Sequence, residues 1–340
     1  MSEIRYDRLH DLHVIIAPER LRHPDEVESL EKIVPEPYPS EPCPFCEGNE
    51  ALTPREIYAL RDEGSIINES GWQTRVVPNL FKAVQIETPP NHHFGLFEYR
   101  EGFGAHEVII DTPRHTTSMC EWGVQDAIMW FTTLAQRVGD LRRDHRITHI
   151  SLFKNEGKNA GSSMSHCHTQ LIALPLVPKS HSELYRRAYE YYQGNAHPLM
   201  ESIVSQEEQM QSRIIEKAGG FTSFCPYASG YPFEVMISSA YERGHIDTLK
   251  AEQIETISTL LVSTLQKLKR QLGVFHFNLS VSTPPLIDYA GEDLSELCRF
   301  TIRIMPRLYR HGGFENTSGI LINPVTPELA AKLLRESNHE

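Results

Sequence analysis

The chain has 340 residues, 40% hydrophobic and 23% charged, with a formal net charge of −12, an ordinary globular composition long enough for one large core or two moderate ones. An acidic chain without a basic run argues against a dedicated nucleic-acid or membrane-surface protein, although local arginines and backbone N–H groups can still receive an anion. There is no 18-residue apolar stretch, residues 1–11 are polar, and of six cysteines only Cys43 and Cys46 are close in sequence, so a cytoplasmic protein without membrane span, signal peptide or disulfide framework is expected.

In chain order, residues 13–17 read as a strand, followed by a turn bearing Arg20 and Arg22 and by a proline-rich acidic segment over residues 34–44. That segment ends in the knuckle Cys43-Pro44-Phe45-Cys46. Strands are expected at residues 73–77, 83–86, 107–110 and 149–153, where β-branched residues are bounded by Pro, Gly or Asn. Between the last two, Val124, Ile128, Phe131, Leu134, Val138 and Leu141 recur at helical spacing, so residues 122–143 read as a helix.

Residues 155–163 are rich in Gly, Ser and Asn, suited to wrapping backbone N–H groups around a phosphate. They lead into Ser165-His166-Cys167-His168-Thr169-Gln170, which continues as an apolar strand. Alternate residues of a strand share one face, so His166, His168 and Gln170 point the same way.

Residues 184–218 are polar, charged and helix-compatible, with a break near 194–198. They connect to a second half that repeats the order strand, long helix, two strands. Residues 233–237 parallel 106–110, 249–272 parallel 122–143, 275–279 parallel 149–153, and 299–306 parallel 168–175. An internal duplication follows, in which the second copy has lost the histidines. Residues 328–337 read as a closing helix with Thr326 as N-cap and Pro327 at the first position.

Two thiolates spaced as Cys43 and Cys46 are can both reach one metal at about 2.3 Å. The bland alternative is a pair of small buried side chains. Two further ligands must come from elsewhere, with His115 and His166 as candidates. An imidazole can attack phosphorus and later leave, dividing one transfer into two easier steps. A lone His168 would more often be a satisfied core residue; behind a Gly/Ser loop and beside Gln170 it reads as the nucleophile. Gln170, Ser163 and loop N–H groups could steady the charge that shifts onto phosphoryl oxygens. Arg20, Arg22, Lys82, Lys154 and Lys158 are cationic candidates for the phosphates, each against the ordinary reading of a solvated charge. From chemistry alone, Asn79-Leu80-Phe81 is a turn with one core aromatic.

These residues, in this order and spacing, resemble the galactose-1-phosphate uridylyltransferase family, the transferase branch of the histidine-triad superfamily. The resemblance runs from residues 14–20 through the Cys43–Cys46 knuckle, residues 75–81 and 102–108, and the His166–Gln170 core. It continues to Pro226-Tyr227, Pro232-Phe233-Glu234 and Gly313-Phe314-Glu315. It implies an α+β, duplicated histidine-triad-like fold with two antiparallel-sheet halves and packed helices: a catalytic half over residues 1–195 and a degenerate half over 196–340. It further implies that His168 carries a covalent nucleotidyl group, and that Cys43, Cys46, His115 and His166 hold a structural zinc. Arg20, Asn155, Gly161, Ser162, Ser163 and Gln170 would serve the phosphates, Asn79 and Phe81 the base and ribose. Phe314 and Glu315 would reach the second substrate, across the interface of a homodimer.

Within the family, residues 79–81, 160–166 and 322–325 are similar to adenylyl-transferring members such as ADP-glucose phosphorylase and ADP sulfurylase. Departures from the uridylyltransferases are Cys167 between the core histidines, Leu80, His23 in the early turn, and Ile322 near the position of a sugar-contacting glutamine. Thr301 and Arg303 stand where a second metal site would need histidines, so that site is expected to be absent. The expectation is therefore ping-pong adenylyl transfer to inorganic phosphate, from an ADP-sugar or adenylylsulfate, forming ADP. Uridylyl transfer to a hexose phosphate is the alternative, and a zinc-stabilised nucleotide-binding protein without turnover is the alternative of another class.

Overall fold

The computed structural model describes residues 1–20, 42–243, 245–282, 284–289 and 291–337. Arg22, His23 and most of the proline-rich segment lie outside the described residues. In chain order the elements are β1 (Glu3–Asp7), β2 (Leu12–Ile16), β3 (Tyr58–Arg61), β4 (Trp72–Pro78), β5 (His92–His93), β6 (Tyr99–Arg100), β7 (Ala105–Ile110), α1 (Val124–Leu141), β8 (His149–Glu156) and β9 (His168–Leu174). Then come α2 (Lys179–Asn195), α3 (Leu199–Met210), β10 (Ile214–Ala218), β11 (Phe221–Phe224), β12 (Val235–Arg243), α4 (Ala251–Leu272), β13 (Phe277–Ser282), β14 (Arg299–Pro306), α5 (Gly313–Ser318), β15 (Leu321–Asn323) and α6 (Pro327–Glu336).

Ten strands form one antiparallel sheet in the order β10-β11-β12-β14-β13-β8-β9-β7-β4-β3. Outward from the central β8–β13 pair, β8-β9-β7-β4-β3 is matched strand for strand by β13-β14-β12-β11-β10, and α1 is matched by α4. This is the duplicated α+β architecture, with the two halves fused into one sheet. One face carries α1 and α4. Trp130, Phe131, Leu134 and Val138 of α1 and Leu261, Leu265 and Leu268 of α4 are buried with Leu171, Leu279 and Phe300 of the strands. Phe131 and Phe300 meet at a centroid distance of 6.2 Å, joining the halves; burying a phenylalanine contributes roughly 1.5–3 kcal/mol.

The opposite face is lined by a cross-strand row fixed by register: Val108, Gln170, Phe153, Ser280, Arg303 and Met236. Over the second half, α2, α3 and the β1–β2 turn cover this face and leave a cavity of about 510 Å³. The two ends of the chain meet in a separate sheet, β1-β2-β15, with β15 parallel to β2. Arg5 fastens it by an ion pair to Glu328 at 2.9 Å and by stacking over Tyr227.

Two expectations do not hold. Residues 83–86 form a bend rather than a strand, with Gln85 making a single bridge to Phe103. Its N–H donates to Gly102 O and its carbonyl accepts from Gly104 N–H, and Pro89-Pro90 then prevent a ladder from extending. Residues 214–218 leave the helical connector as β10, because α3 stops at Gln211, whose φ of 59° is left-handed. Ile214 and Ile215 then enter the core. The closing helix α6 is capped as expected, Thr326 accepting from Leu329 N–H. Among the described residues no helix is long and apolar enough to cross a membrane.

Candidate active site and metal centre

The phosphate-type loop leaves β8 at Gly157, which has a φ of +81° and on which a Cβ would stand 1.8 Å from the His276 ring. Only glycine meets both demands. Gly161, with a φ of +86°, closes the short turn over Lys158–Ala160. Asn278 of β13 donates to Asn155 Oδ1 at 2.9 Å and to the Ala160 carbonyl at 2.8 Å, and His276 Nδ1 accepts from Asn159 N–H at 3.2 Å. The loop of the first half is therefore held by side chains of the second. Ser162 and Ser163 line a cavity of about 160 Å³ together with Glu156, Lys158, Lys269 and His276.

The motif strand β9 obeys period two. Thr169 faces the helices and accepts from Trp130 Nε1 at 2.8 Å, whereas His168 and Gln170 face the other way. His168 Nδ1 lies 2.9 Å from the His166 carbonyl. A carbonyl can only accept, so Nδ1 carries the proton and the lone pair sits on Nε2, as a nucleophile requires. Burial, then the Lys154 charge, lowers the His168 pKa and keeps the ring neutral. The Phe45 ring packs at 5.5 Å. Lys154 serves the site from behind: it is 1% exposed and donates to Asp111 Oδ2 at 2.7 Å and to the His168 carbonyl at 3.2 Å. Burial works against its charge, but Asp111, Cys167 and Glu156 together outweigh that and raise its pKa. Its expected role as a phosphate cation is thereby replaced by a buried ion pair. Lys82 is exposed and Lys158 lines the small cavity.

Gln170 does not stand alone. Its Oε1 lies 3.1 Å from His106 Nε2, on the neighbouring strand β7. Asn79 Nδ2 lies 3.0 Å from the same nitrogen, and Asn79 Oδ1 accepts from Phe81 N–H at 2.8 Å. The Phe81 ring is 86% exposed, not the core aromatic that its chemistry alone suggested. His106 is the residue that motif reading missed. Its signal was the alternation His106, Val108, Ile110, which puts it on the face of Gln170.

Cys43, Cys46, His115 and His166 converge, with one ligand atom from each inside 4.8 Å of all the others. Cys43 Sγ to His166 Nδ1 is 3.5 Å, Cys46 Sγ to His166 Nδ1 3.6 Å and Cys46 Sγ to His115 Nδ1 3.3 Å. Tetrahedral zinc, with bonds of about 2.3 Å to sulfur and 2.0 Å to nitrogen, separates S from N by about 3.5 Å. The donor set therefore fits such an ion. Both Nδ1 atoms face the centre, while His166 Nε2–H donates to the Thr112 carbonyl at 2.9 Å and His115 Nε2 meets Ser165 Oγ at 3.5 Å; such outer contacts orient metal-binding imidazoles. Burial pushes His166 down to about 4, so its ring is neutral and available as a ligand. Without a cation, burial and Cys43 push the Cys46 thiol up to about 11.

The remaining candidates lie elsewhere. Arg20 is exposed at the end of a short turn, and Glu315 caps α5 by accepting from Gly312 N–H at 2.9 Å. Both act electrostatically on the Tyr309 hydroxyl. Phe314 is 46% exposed on α5. Among the described residues, no hydrogen bond or ion pair links these three to His168. Arg303, at the position that a second metal site would occupy, is paired with Glu234 at 2.5 Å.

A duplicated antiparallel fold, with a histidine, a glutamine and a glycine-serine loop on its open face and a Cys2His2 cluster beside them, defines a nucleotidyltransferase. The family described as galactose-1-phosphate uridyl transferase, N-terminal domain, matches residues 1–178. ADP-glucose phosphorylase of Arabidopsis thaliana is 31% identical over 98% of this chain and 92% of that protein. Galactose-1-phosphate uridylyltransferase of Thermotoga maritima is 26% identical, with both chains covered in full. The crystal structure of an Arabidopsis thaliana ADP-glucose phosphorylase with bound ADP-glucose superposes with a TM-score of 0.82 at 27% identity, covering 100% of each chain. The chain belongs to the galactose-1-phosphate uridylyltransferase family.

Proposed function

We propose that the protein transfers an adenylyl group by a ping-pong route through His168. The observation that carries this reading is the His168 ring, neutral, with Nδ1–H held on the His166 carbonyl and Nε2 left as the nucleophile. Nε2 attacks the α-phosphorus of a nucleoside diphosphate sugar. The N–P bond forms as the bond from phosphorus to the sugar-phosphate oxygen breaks, and the sugar phosphate leaves. An oxygen of inorganic phosphate then attacks the same phosphorus, the N–P bond breaks, and His168 returns to its neutral state with ADP as product. Two steps with a good leaving group replace one difficult displacement. Gln170 and the loop over residues 155–163 would donate to the α-phosphate oxygens as charge shifts onto them.

Adenylyl rather than uridylyl transfer is supported by the 31% identity, over nearly the full chain, to an ADP-glucose phosphorylase. The donor is then an ADP-sugar; adenylylsulfate would leave sulfate by the same steps. Zinc is the metal proposed for Cys43, Cys46, His115 and His166, where it holds the Phe45 loop against the nucleophile. Arg20 is proposed to serve the phosphates, and Phe314 and Glu315 to reach the second substrate across the interface of a homodimer.

The test is incubation with ADP-glucose, UDP-glucose or adenylylsulfate, each labelled at the α-phosphorus. Acid-labile label on His168 from ADP-glucose, and its release as ADP by phosphate, is expected. Labelling or turnover retained by His168→Ala would refute the route. Preference for UDP-glucose with a hexose 1-phosphate acceptor would establish uridylyl transfer instead. Tight nucleotide binding without exchange of label would point to a binding protein.

A further inference from the structure

We propose that His106 is a positioning residue that decides which end of the Gln170 amide faces the reacting phosphoryl group. The inference rests on the nucleotidyl-transfer reading and adds a residue that acts on the phosphate only through Gln170.

The argument starts from a fixed proton. The backbone N–H of Ala83 points at His106 Nδ1 at 3.1 Å. A backbone amide can only donate, so Nδ1 must be the acceptor, and in the neutral ring the proton then resides on Nε2. Nε2–H faces Gln170 Oε1 at 3.1 Å. The oxygen of the Gln170 amide is thereby drawn toward β7, and its NH2 is turned away from His106. A glutamine without this neighbour can present either end to a ligand, since oxygen and nitrogen have nearly the same shape. One presentation donates to a phosphoryl oxygen; the other sets an amide oxygen against it. A donor fixed in advance needs no reorganisation as charge develops.

Asn79 makes the arrangement one-directional. Its Oδ1 is taken by Phe81 N–H at 2.8 Å, so Nδ2 is the atom set 3.0 Å from His106 Nε2. Two donors meet there, and the Asn79 N–H groups find no acceptor on that nitrogen. Gln170 Oε1 is the acceptor for Nε2–H, so a reversed Gln170 would place a third donor at the same point. The position of His106 on β7 is itself fixed by register, His106 opposite Ile172 and Val108 opposite Gln170. The Asn79 backbone N–H donates to the His106 carbonyl at 2.9 Å.

The test is a double-mutant cycle on steady-state turnover of whichever donor the wild-type protein uses. His106→Phe keeps a ring on β7 but removes the Nε2–H donor. It is expected to lower kcat by about 10–100-fold, below the full loss of one transition-state donor, with KM changed less than about threefold. His106→Gln, which can again donate to Gln170 Oε1, is expected to recover most of that loss. Gln170→Ala is expected to lower kcat by about 100-fold or more. The decisive measurement is His106→Phe in the Gln170→Ala background, where little further loss is expected. Full additivity of the two losses, or equal impairment of His106→Phe and His106→Gln, would overturn the proposal. Thermal unfolding of all four variants is followed alongside, and a His106→Phe loss matched by a lowered midpoint would overturn it as well. A wild-type protein inert toward every donor would instead mark failure of the transferase reading.

Discussion

Asn278 and Asn155 face each other on the central pair of strands, one from each half of the duplicated chain, and are joined by a hydrogen bond of 2.9 Å. Asn278 also holds the Ala160 carbonyl, so a single amide in the copy that lacks the motif histidines fastens two points, Asn155 and Ala160, of the loop that precedes the motif strand in the other copy. The degenerate half is therefore a scaffold for the loop, even though its own strand β14 carries Arg299, Thr301 and Arg303 on the face where β9 carries His168 and Gln170.

Asn278→Ala removes both bonds and leaves the Ala160 carbonyl without its donor. The cost to stability is about 1–3 kcal/mol, small beside the effect on a loop that must hold its backbone in place. The expected result is a fall of about tenfold or more in kcat/KM, with the unfolding midpoint lowered by only a few degrees. Steady-state kinetics and thermal unfolding on one preparation check this.

Metal removal acts on another part of the site. Four donors spaced for a tetrahedral ion, with a Cys46 thiol that burial and the neighbouring Cys43 hold in its protonated form without a cation, make the knuckle over residues 43–46 dependent on the metal. About one zinc per chain is expected by elemental analysis. Chelation is expected to lower the unfolding midpoint and to lower activity through the Phe45 contact with His168, and added zinc to restore both. Cys46→Ser or His115→Ala should show the same losses without chelator; a chain purified without metal and with full activity would refute the assignment.

The placement of the candidate residues was legible in sequence where one strand carried it. His168 and Gln170 share a face, with Thr169 turned to Trp130, because alternation along a strand is a local rule. The Cys2His2 cluster was anticipated for a different reason: a paired thiol motif demands partners, His115 and His166 were candidates, and the family resemblance implied the set of four. His106 and Asn278 were not legible, because each acts through a cross-strand neighbour and register is not written in any one segment. Residues 214–218 were misread because Glu216 and Lys217 sit on an edge strand, where polar residues do not distinguish strand from helix.

Lys154 and Asp111 supply a stability prediction. Both are about 1% exposed and lie 2.7 Å apart beneath His168. Removing one partner of a buried pair leaves a charge without compensation and costs about 3–5 kcal/mol, whereas replacing both with apolar groups of similar volume is often neutral. Lys154→Met alone is therefore expected to unfold at much lower denaturant than the wild type. Lys154→Met combined with Asp111→Leu is expected to recover most of that loss. Chemical denaturation of the two variants checks the order; if the double variant is the less stable, the pair contributes more than a compensated charge.

Two buried histidines outside the Cys2His2 cluster set a pH dependence. Burial, then His181, pushes His149 down to about 4, and burial, then Arg142, pushes His245 down to about 4. In the unfolded chain both titrate near 6.5. Above that value both states are neutral and the histidines leave stability unchanged. Between about 6.5 and 4 the unfolded state binds protons that the folded state refuses, so stability falls as pH falls, and the loss levels off below the folded value. Each histidine accounts for at most about 3 kcal/mol of that loss. His149→Leu removes one of the two titrations. The difference in denaturation free energy between pH 7.5 and pH 5 is therefore expected to be smaller in His149→Leu than in the wild type. Loss of metal from the cluster affects both proteins alike and cancels in the comparison. An unchanged difference would mean that His149 is protonated in the folded state at pH 5, paired with a group its surroundings do not reveal.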